Sequence, residues 1–433
     1  MSDAKKYVII GGGVAGLGAI EGIREIDMDG EITLITKEAY PPYSRPGISY
    51  WLSGKLTDET MPLRDNSFYK NLKVNVMTDS EVVSINQKGG SITIKDKGAT
   101  KDKGDIKFDR LLMATGGSPI LPPLTGADKA DLVFSFTTYH DAIEINKNRD
   151  KIKKAVVVGG GLIGLKAAEA LNDIGIEVTV LELMDRILSL AFDRTAGNLV
   201  SEKLSNAGIN IITGDTAERV VTDGGKIKEI ILKSGKSIEA DALIFAIGVR
   251  PDVGLAKSAG VEVGRGILVD DKLMTNLDNI YAAGDVSETY DIVHKERRVT
   301  PILPNAYHQG KQGGRNMADA NEVYEGGLSM NAIGFYGLDT ISIGLVDPPE
   351  DARYEALISL DEKSGDYRKL IIKDNRLFGV VLVGEVDRAG IFAGLIRDGI
   401  DIAGLKEKML DPEFGHIHMD KNLREERLEK RPV

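Results

Sequence analysis

Apolar runs and amphipathic stretches alternate along the chain, and clusters of glycine stand between them. Residues 7–10 form an apolar run that leads into Gly11-Gly12-Gly13-Val14-Ala15-Gly16. Residues 17–26 carry apolar side chains near helical spacing, and residues 31–36 are a second strand-like run. This order predicts a strand, a glycine-rich turn, a helix and a second, parallel strand.

The glycine turn has the spacing of a dinucleotide-binding loop. Gly11 permits the tight turn, Gly13 lets backbone N–H groups approach a pyrophosphate, and Gly16 lets helix and strand pack closely. The pyrophosphate is then expected at the positive end of the helix. Glu38, about 20 residues further on, is the acidic residue that this fingerprint assigns to a ribose. We therefore predict a nucleotide site at the N-terminal end of the chain.

The same pattern recurs near the middle of the chain. An apolar run at residues 154–158 leads into Gly159-Gly160-Gly161-Leu162-Ile163-Gly164, a predicted helix at 165–171 and a strand at 177–181. The next residue, Glu182, can accept hydrogen bonds from a ribose diol and repels a 2′-phosphate. Because Leu183 and Met184 follow and offer no positive charge, we expect NADH rather than NADPH at this site.

Composition limits the classes of protein and the kinds of site that the chain can form. The 433 residues suggest two or three domains. A net charge of −11 disfavours nucleic-acid binding. No uncharged apolar run approaches the roughly 18 residues that a membrane helix needs, and no signal-peptide core precedes the first run, so we expect a cytoplasmic protein. The chain has no cysteine and only 5 histidines, which excludes disulfides, thiolate chemistry and iron–sulfur clusters, and we predict no metal site.

Three further strand-to-turn motifs complete the pattern. They are Ala114-Thr115-Gly116, the turn at Gly248, and Gly284-Asp285, each preceded by an apolar run. The five motifs in this order resemble the two-dinucleotide-binding flavoproteins of the pyridine nucleotide–disulfide oxidoreductase superfamily, over residues 7 to about 320. The resemblance implies an α/β fold with two Rossmann-like dinucleotide-binding domains and a C-terminal α+β interface domain.

The resemblance also implies domain boundaries and cofactor contacts. The FAD-binding domain would be discontinuous, at 1–116 and 245–322, with the NAD-binding domain at 117–244 and the interface domain at 323–433. Relatives often place the acid expected at Glu38 one or two residues earlier, where this chain has Thr36 and Lys37. The implied FAD-binding residues are Gly11, Gly13, Ala15, Gly16, Glu38, Arg45, Ala114, Thr115, Gly116, Asp285 and Asn305. The implied NAD-binding residues are Gly159, Gly161, Leu162, Ile163, Gly164, Glu182 and Gly248.

Where disulfide-reducing members carry redox cysteines, this chain reads Tyr43-Ser44-Arg45-Pro46. That run resembles NADH–rubredoxin reductases, ferredoxin reductases and the flavin portion of NADH–nitrite reductases. Many relatives also place a lysine beside the flavin and match it to a glutamate after the second glycine loop. Here those positions are Tyr50 and Lys166, so we expect Lys166 to supply the charge near flavin N5, against the alternative of a solvated helix lysine. Arg45 is the second catalytic candidate, with pairing to a surface carboxylate as its alternative.

The resulting functional prediction is an FAD-dependent NADH oxidoreductase that passes electrons to an external acceptor. The acceptor is either a rubredoxin- or ferredoxin-like protein or a larger redox complex in which the chain is the NADH–flavin subunit. Two alternatives stay open: a peroxide-forming NADH oxidase, and a non-enzymatic NADH-sensing flavoprotein resembling apoptosis-inducing factor. We expect no nucleic-acid or membrane partner and leave a homodimer open.

Three segments outside these motifs also carry expectations. Residues 88–104, rich in Lys and Gly, predict a hairpin. Alternating apolar positions at 357–360, 370–373 and 380–383 predict strands of the C-terminal domain. Residues 421–431 alternate in charge and predict a terminal tail.

Overall fold

The computed structural model describes residues 4–96, 104–349, 353–419, 421, 424 and 425. Its helices are α1 (Val14–Ile26), α2 (Gly47–Leu52), α3 (Asn66–Asn71), α4 (Tyr139–Asn148), α5 (Leu162–Asp173), α6 (Arg194–Asn206), α7 (Gly254–Ser258), α8 (Leu303–Met317) and α9 (Ala389–Arg397). Short 3₁₀ turns lie at Ala127–Lys129, Arg149–Lys151, Lys408–Leu410 and His416–His418.

The strands, in chain order, are β1 (Lys6–Ile10), β2 (Glu31–Ile35), β3 (Val74–Met77), β4 (Ser80–Asn86), β5 (Ser91–Asp96), β6 (Gly104–Lys107), β7 (Arg110–Met113), β8 (Gly117–Pro119), β9 (Val133–Ser135), β10 (Lys154–Val158), β11 (Glu177–Glu182), β12 (Asn210–Thr213), β13 (Ala217–Asp223), β14 (Lys226–Leu232), β15 (Ser237–Glu239), β16 (Ala242–Phe245), β17 (Val249–Pro251), β18 (Ile267–Leu268), β19 (Ile280–Ala282), β20 (Ser287–Asp291), β21 (Glu296–Arg298), β22 (Met330–Phe335), β23 (Leu338–Gly344), β24 (Glu355–Leu360), β25 (Tyr367–Lys373) and β26 (Arg376–Val383).

Two five-stranded parallel sheets form the body of the protein. The first has the order β19-β7-β1-β2-β3, and the second has the order β12-β11-β10-β16-β9. The second sheet is built entirely from residues between β7 and β19, so the chain leaves the first sheet, completes the second and then returns. The predicted α/β fold with two Rossmann-like units is confirmed.

A five-stranded antiparallel sheet, ordered β22-β23-β26-β25-β24, follows these two sheets. The three strand predictions for this region are confirmed by β24, β25 and β26. Helix α9 packs on the sheet, and its Phe392 and Leu395 share one buried core with Leu370 and Leu382. The expected hairpin at 88–104 belongs to the small antiparallel sheet β4-β5-β6. Its residues 97–103, and most of the expected tail at 421–431, lie outside the described residues.

Both predicted loop helices begin three residues earlier than the apolar pattern indicated. Helix α1 starts at Val14 and α5 starts at Leu162, directly after Gly13 and Gly161, which are their N-caps. The glycine loops are thus the starts of the helices rather than separate turns, because glycine gives no apolar signal for the helical pattern to detect.

Helices α1 and α8 pack together through a seam of four glycines. A Cβ at Gly18 or Gly22 of α1 would lie under 3.0 Å from the backbone of α8. A Cβ at Gly310 or Gly314 of α8 would come equally close to the backbone of α1. Real Cβ atoms do not approach so closely, and the distance between the two helix axes therefore depends on these residues having no side chain. The N-terminal ends of both helices face the same part of the molecule.

No helix among the described residues combines the length and the apolar character needed to cross a membrane. The described side chains include no group of three or more His, Asp or Glu residues arranged to hold a metal ion.

Candidate functional site

The first glycine loop leaves open space where a pyrophosphate is expected. Gly11 has φ +123°, and a Cβ there would collide with the carbonyl of Ala114. A Cβ at Gly16 would collide with the carbonyl of Gly11, whereas a Cβ at Gly13 would meet nothing within 4 Å. No side chain caps the first turn of α1. The N–H groups of that turn are therefore accessible to an anionic ligand.

The second loop repeats this geometry. Gly159 has φ +116° and no room for a Cβ beside Ala246, Gly164 has no room beside Gly159, and Gly161 has nothing within 4 Å. Helix α5 also begins without a side-chain cap. Two uncapped helix starts of the same form fit two dinucleotides rather than one.

Both loops open on one continuous cavity of about 2010 Å³. A site for one small molecule is typically about 300–1,000 Å³, so this space is large enough for two extended ligands. The helix α8 start, at Leu303 and Pro304, also borders it. The predicted site residues that line it are Gly11, Gly13, Ala15, Glu38, Arg45, Ala114, Thr115, Gly116, Asp285, Gly159, Gly161, Leu162, Ile163, Lys166, Glu182 and Gly248.

Three predicted site residues do not line the cavity. Gly16 and Gly164 lie behind the loops, at the helix–strand packing positions for which glycine was expected. Asn305 is buried on another face of α8 from the cavity-lining Leu303, Pro304 and Ala306, because successive helix positions point in different directions. Its amide nitrogen has no hydrogen-bond partner and lies against Gly327. The FAD contact expected of Asn305 stays a prediction, and the residues that line the cavity at the start of α8 are Leu303, Pro304 and Ala306.

Strand register shows that the acids of the two loops are not equivalent. Ile10 pairs with Ile35 and Val158 pairs with Leu181, so the residue structurally matching Glu182 is Thr36, not Glu38. The Glu182 carboxylate accepts hydrogen bonds from the backbone N–H of Gly160 (2.7 Å) and of Met184 (2.8 Å). It is thereby fixed at the second loop, where a ribose diol is expected.

Glu38 instead belongs to a cluster that links the two parallel sheets. One carboxylate oxygen accepts a hydrogen bond from the hydroxyl of Tyr43 (2.6 Å), and the other accepts one from the Arg45 guanidinium. Arg45 also donates to the carbonyl of Thr137 (2.9 Å), and Tyr43 accepts from the N–H of Tyr139 (2.9 Å). Burial raises the pKa of Tyr43, which keeps its hydroxyl protonated as a donor. Arg45 therefore pairs with a carboxylate, which is the alternative to a catalytic role that the sequence left open. That carboxylate, Glu38, lines the cavity rather than the outer surface.

Asp285 presents its carboxyl group to the cavity at the end of β19. Burial raises the pKa of this carboxyl, and the Arg45 guanidinium offsets the effect in part. The turn that carries it is held by Gln309, whose side-chain oxygen accepts from the N–H of Gly284 (2.7 Å) and the hydroxyl of Ser287 (3.0 Å). Among the described residues no hydrogen bond reaches the Asp285 carboxylate, which suits it to accept one from a bound hydroxyl.

Lys166 lies at the junction of α5, α2 and the C-terminal sheet. Its side chain is 13% exposed, which excludes the solvated helix lysine. The ammonium forms an ion pair with Glu169, donates to the carbonyl of Gly334 (3.2 Å) and lies 4.7 Å from the ring centre of Tyr50. Sequence reasoning missed Glu169, although its i,i+3 spacing from Lys166 places both on one helix face.

Comparison with known proteins agrees with this architecture. The model of the family described as pyridine nucleotide-disulphide oxidoreductase matches residues 5–310, and that of the rubredoxin NAD+ reductase C-terminal domain matches residues 330–400. The chain is 33% identical over 408 residues to the NADH-dependent phenylglyoxylate dehydrogenase subunit epsilon of Aromatoleum evansii, covering 94% of each protein. It is 31% identical over 413 residues to the assimilatory nitrate reductase electron transfer subunit of Bacillus subtilis (strain 168), covering 94% of this chain and 51% of that protein. A solved NAD-dependent persulfide reductase from A. fulgidus superposes with a TM-score of 0.85 at 28% identity, covering 98% of this chain and 83% of the other.

Proposed function

We propose, since the chain belongs to the pyridine nucleotide-disulphide oxidoreductase family, that it passes electrons from NADH through FAD to a redox protein outside the chain. The chain is an NAD(P)H-dependent FAD oxidoreductase. One observation carries the proposal: two dinucleotide loops open on a single cavity in a chain that contains no cysteine. Electrons that arrive in this cavity have no internal dithiol to reduce, so they must leave to another molecule.

The first loop and its neighbours fit FAD. In this proposal the free N–H groups at the start of α1 bind the pyrophosphate, and Asp285 accepts hydrogen bonds from the ribityl hydroxyls. The start of α8, at Leu303, presents the positive end of its helix dipole to the cavity, where it would stabilise negative charge on the flavin ring of bound FAD. Bound FAD would supply the hydride-accepting and electron-releasing chemistry, and the chain supplies position and electrostatics.

The second loop fits NADH. We assign the adenosine ribose to Glu182, which the N–H groups of Gly160 and Met184 hold in place. Lys166 lines the cavity between the two loops, and Glu169 keeps its charge within reach of that space. We propose that Lys166 would place its positive charge beside the flavin ring of bound FAD and so favour electron-rich states of that ring. Arg45 orients the Glu38 carboxylate at the wall of the cavity rather than transferring a proton.

The proposed acceptor is a small acidic redox protein or a partner subunit of a redox complex. The match to a rubredoxin NAD+ reductase C-terminal domain and the similarity to an electron transfer subunit support an acceptor of this kind. A basic hairpin between β20 and β21 lies at the edge of the cavity, where His294 and Arg298 line it and Lys295 is exposed. Positive charge at this opening favours the approach of an acidic protein.

Anaerobic stopped-flow spectroscopy tests the proposal. NADH is expected to bleach the bound flavin, and oxidised rubredoxin or ferredoxin is expected to restore its colour much faster than O₂ does. Faster restoration by O₂, with peroxide released, would establish an NADH oxidase instead. Negligible turnover with NADH and ferricyanide would establish an NADH-sensing flavoprotein without electron-transfer activity.

A further inference from the structure

Four charged side chains join the segment after β11 to the C-terminal sheet. Arg186 pairs with Asp347 at 2.7 Å, Asp347 lies 3.5 Å from Lys369, and Lys369 pairs with Asp193 at 3.0 Å. Arg186 and Asp193 precede α6, whereas Asp347 and Lys369 belong to the C-terminal part of the chain. We call Arg186, Asp193, Asp347 and Lys369 the four-charge bridge. The charges alternate in sign, so each inner residue lies between two opposite charges.

The Lys369–Asp193 pair of the bridge is buried and reinforced by hydrogen bonds, whereas Asp347 is half-exposed. The side chains of Lys369 and Asp193 are 11% and 6% exposed. Lys369 also donates to the carbonyl of Val346 (3.0 Å), and the Tyr367 hydroxyl donates to Asp193 (2.6 Å). The other oxygen of Asp193 accepts from the N–H of Ala196 and caps α6. Removing one partner from such a pair leaves a buried charge uncompensated, which destabilises the protein. The bridge therefore holds the segment before α6 at a fixed position against the C-terminal sheet.

The segment that the bridge anchors forms one wall of the cavity. Between Glu182 and Asp193, cavity-lining side chains include Leu183, Met184 and Leu190. Leu190 is 97% exposed, so its side chain gains almost nothing from packing in the protein. The N–H of Leu188 donates to the carbonyl of Gly160 (2.8 Å), which connects this wall directly to the second glycine loop. A shift at the base of the segment would therefore move the loop itself.

We infer that the four-charge bridge positions this wall against the adenosine half of NADH, so that the C-terminal sheet sets coenzyme affinity. The inference rests on the proposed NADH site at the second loop. The bridge residues are positioning residues, since they act through residues 183–191. A partner subunit that displaced the C-terminal sheet would change NADH affinity without touching either cofactor.

The test compares NADH with NMNH, which carries the same nicotinamide but lacks the adenosine half. The FAD-loaded full chain is prepared as wild type, Lys369→Met, Lys369→Arg and Asp347→Asn. Lys406→Met is the matched control, because it breaks the Lys406–Glu355 pair within the C-terminal part of the chain. Lys369→Met is expected to raise the KM and Kd for NADH about tenfold, which corresponds to about 1.4 kcal/mol of lost binding free energy. The kcat/KM for NMNH and the FAD content are expected to stay unchanged, and Lys369→Arg to restore part of the NADH affinity.

Two results would overturn the inference. One is an NADH affinity in Lys369→Met equal to that of Lys406→Met. The other is an equal loss with NADH and NMNH, which would indicate a general disturbance. If Lys369→Met does not fold, Asp347→Asn decides, since Asp347 is half-exposed and its loss threatens the core less. A wild-type protein that binds no NADH would overturn the proposed function as well, and the wild-type measurement separates the two failures.

Discussion

Replacing Gly310 with alanine tests how closely α1 and α8 must approach. A Cβ there would lie under 3.0 Å from the backbone of Ala15, so the two helices would have to separate by roughly 1 Å. A backbone atom cannot turn aside as a flexible side chain can. Overpacking of this kind costs roughly 1–3 kcal/mol, while exchanging glycine for alanine inside a helix gains about 1 kcal/mol. We expect a net loss of up to roughly 2 kcal/mol in the free energy of unfolding.

Gly313 provides the control within the same helix. A Cβ at Gly313 would meet side-chain atoms of Leu112 at 3.6 Å and Leu273 at 3.7 Å, which is ordinary contact. Gly313→Ala should therefore keep the helical gain of about 1 kcal/mol and make the protein more stable. Because Ala15 lies in the first turn of α1, only Gly310→Ala should also weaken FAD binding. Urea unfolding of FAD-free and FAD-loaded protein, with FAD release followed by fluorescence, measures both effects. Changes of the same sign and size in the two variants would refute the reasoning.

Three further variants test the cofactor site. Asp285→Asn should accelerate FAD release while stabilising the FAD-free protein by about 1 kcal/mol, because it removes a charge whose burial Arg45 offsets only in part. Because burial raises the pKa of this carboxyl, the stability that the carboxyl contributes is lost as the pH rises through that pKa. The FAD-free Asp285→Asn protein should not show this loss. Equal urea midpoints of the wild type and the variant at all pH values would contradict the prediction. Glu182→Gly combined with Leu183→Arg should shift the NADPH/NADH ratio of kcat/KM about tenfold or more towards NADPH, and an unchanged ratio would show that Glu182 does not contact the ribose. Lys166→Met, made together with Glu169→Gln to avoid an unpaired buried carboxylate, should slow flavin reduction by NADH and lower the flavin potential; two unchanged values would remove Lys166 from the mechanism.

Much of the fold follows from short stretches of sequence. The two strand–glycine–helix units are encoded within about 30 residues each, and the positions of Gly11, Gly13 and Gly16 match the steric demands of the loop. The strands of the C-terminal sheet also follow from local alternation of apolar residues. These features were predictable because the residues that specify them are neighbours along the chain.

Other parts of the site depend on contacts between distant residues, and the sequence pattern could not show them. Counting residues assigned a ribose to Glu38, with Thr36 and Lys37 as the earlier positions that relatives use, and strand pairing identifies Thr36 as the equivalent of Glu182. The direction in which the Asn305 side chain points depends on the residue at which α8 begins, and the spacing of apolar residues did not define that residue. The ion pair between Lys369 and Asp193 joins the C-terminal sheet to the segment before α6. The charges of the two residues do not indicate, from the sequence, that they are partners.

The excursion of the chain between β7 and β19 has a consequence for biosynthesis. The second parallel sheet, from Val133 to Phe245, is continuous in sequence and can form as soon as it has left the ribosome. The first sheet must wait for β19, and its glycine seam must wait for α8, which ends at Met317. A nascent chain that stopped before Met317 would contain the complete second sheet, which carries the proposed NADH loop. The proposed FAD site beside it would still be incomplete. We therefore expect flavin insertion to be a late step of maturation, after about three quarters of the chain has been synthesised.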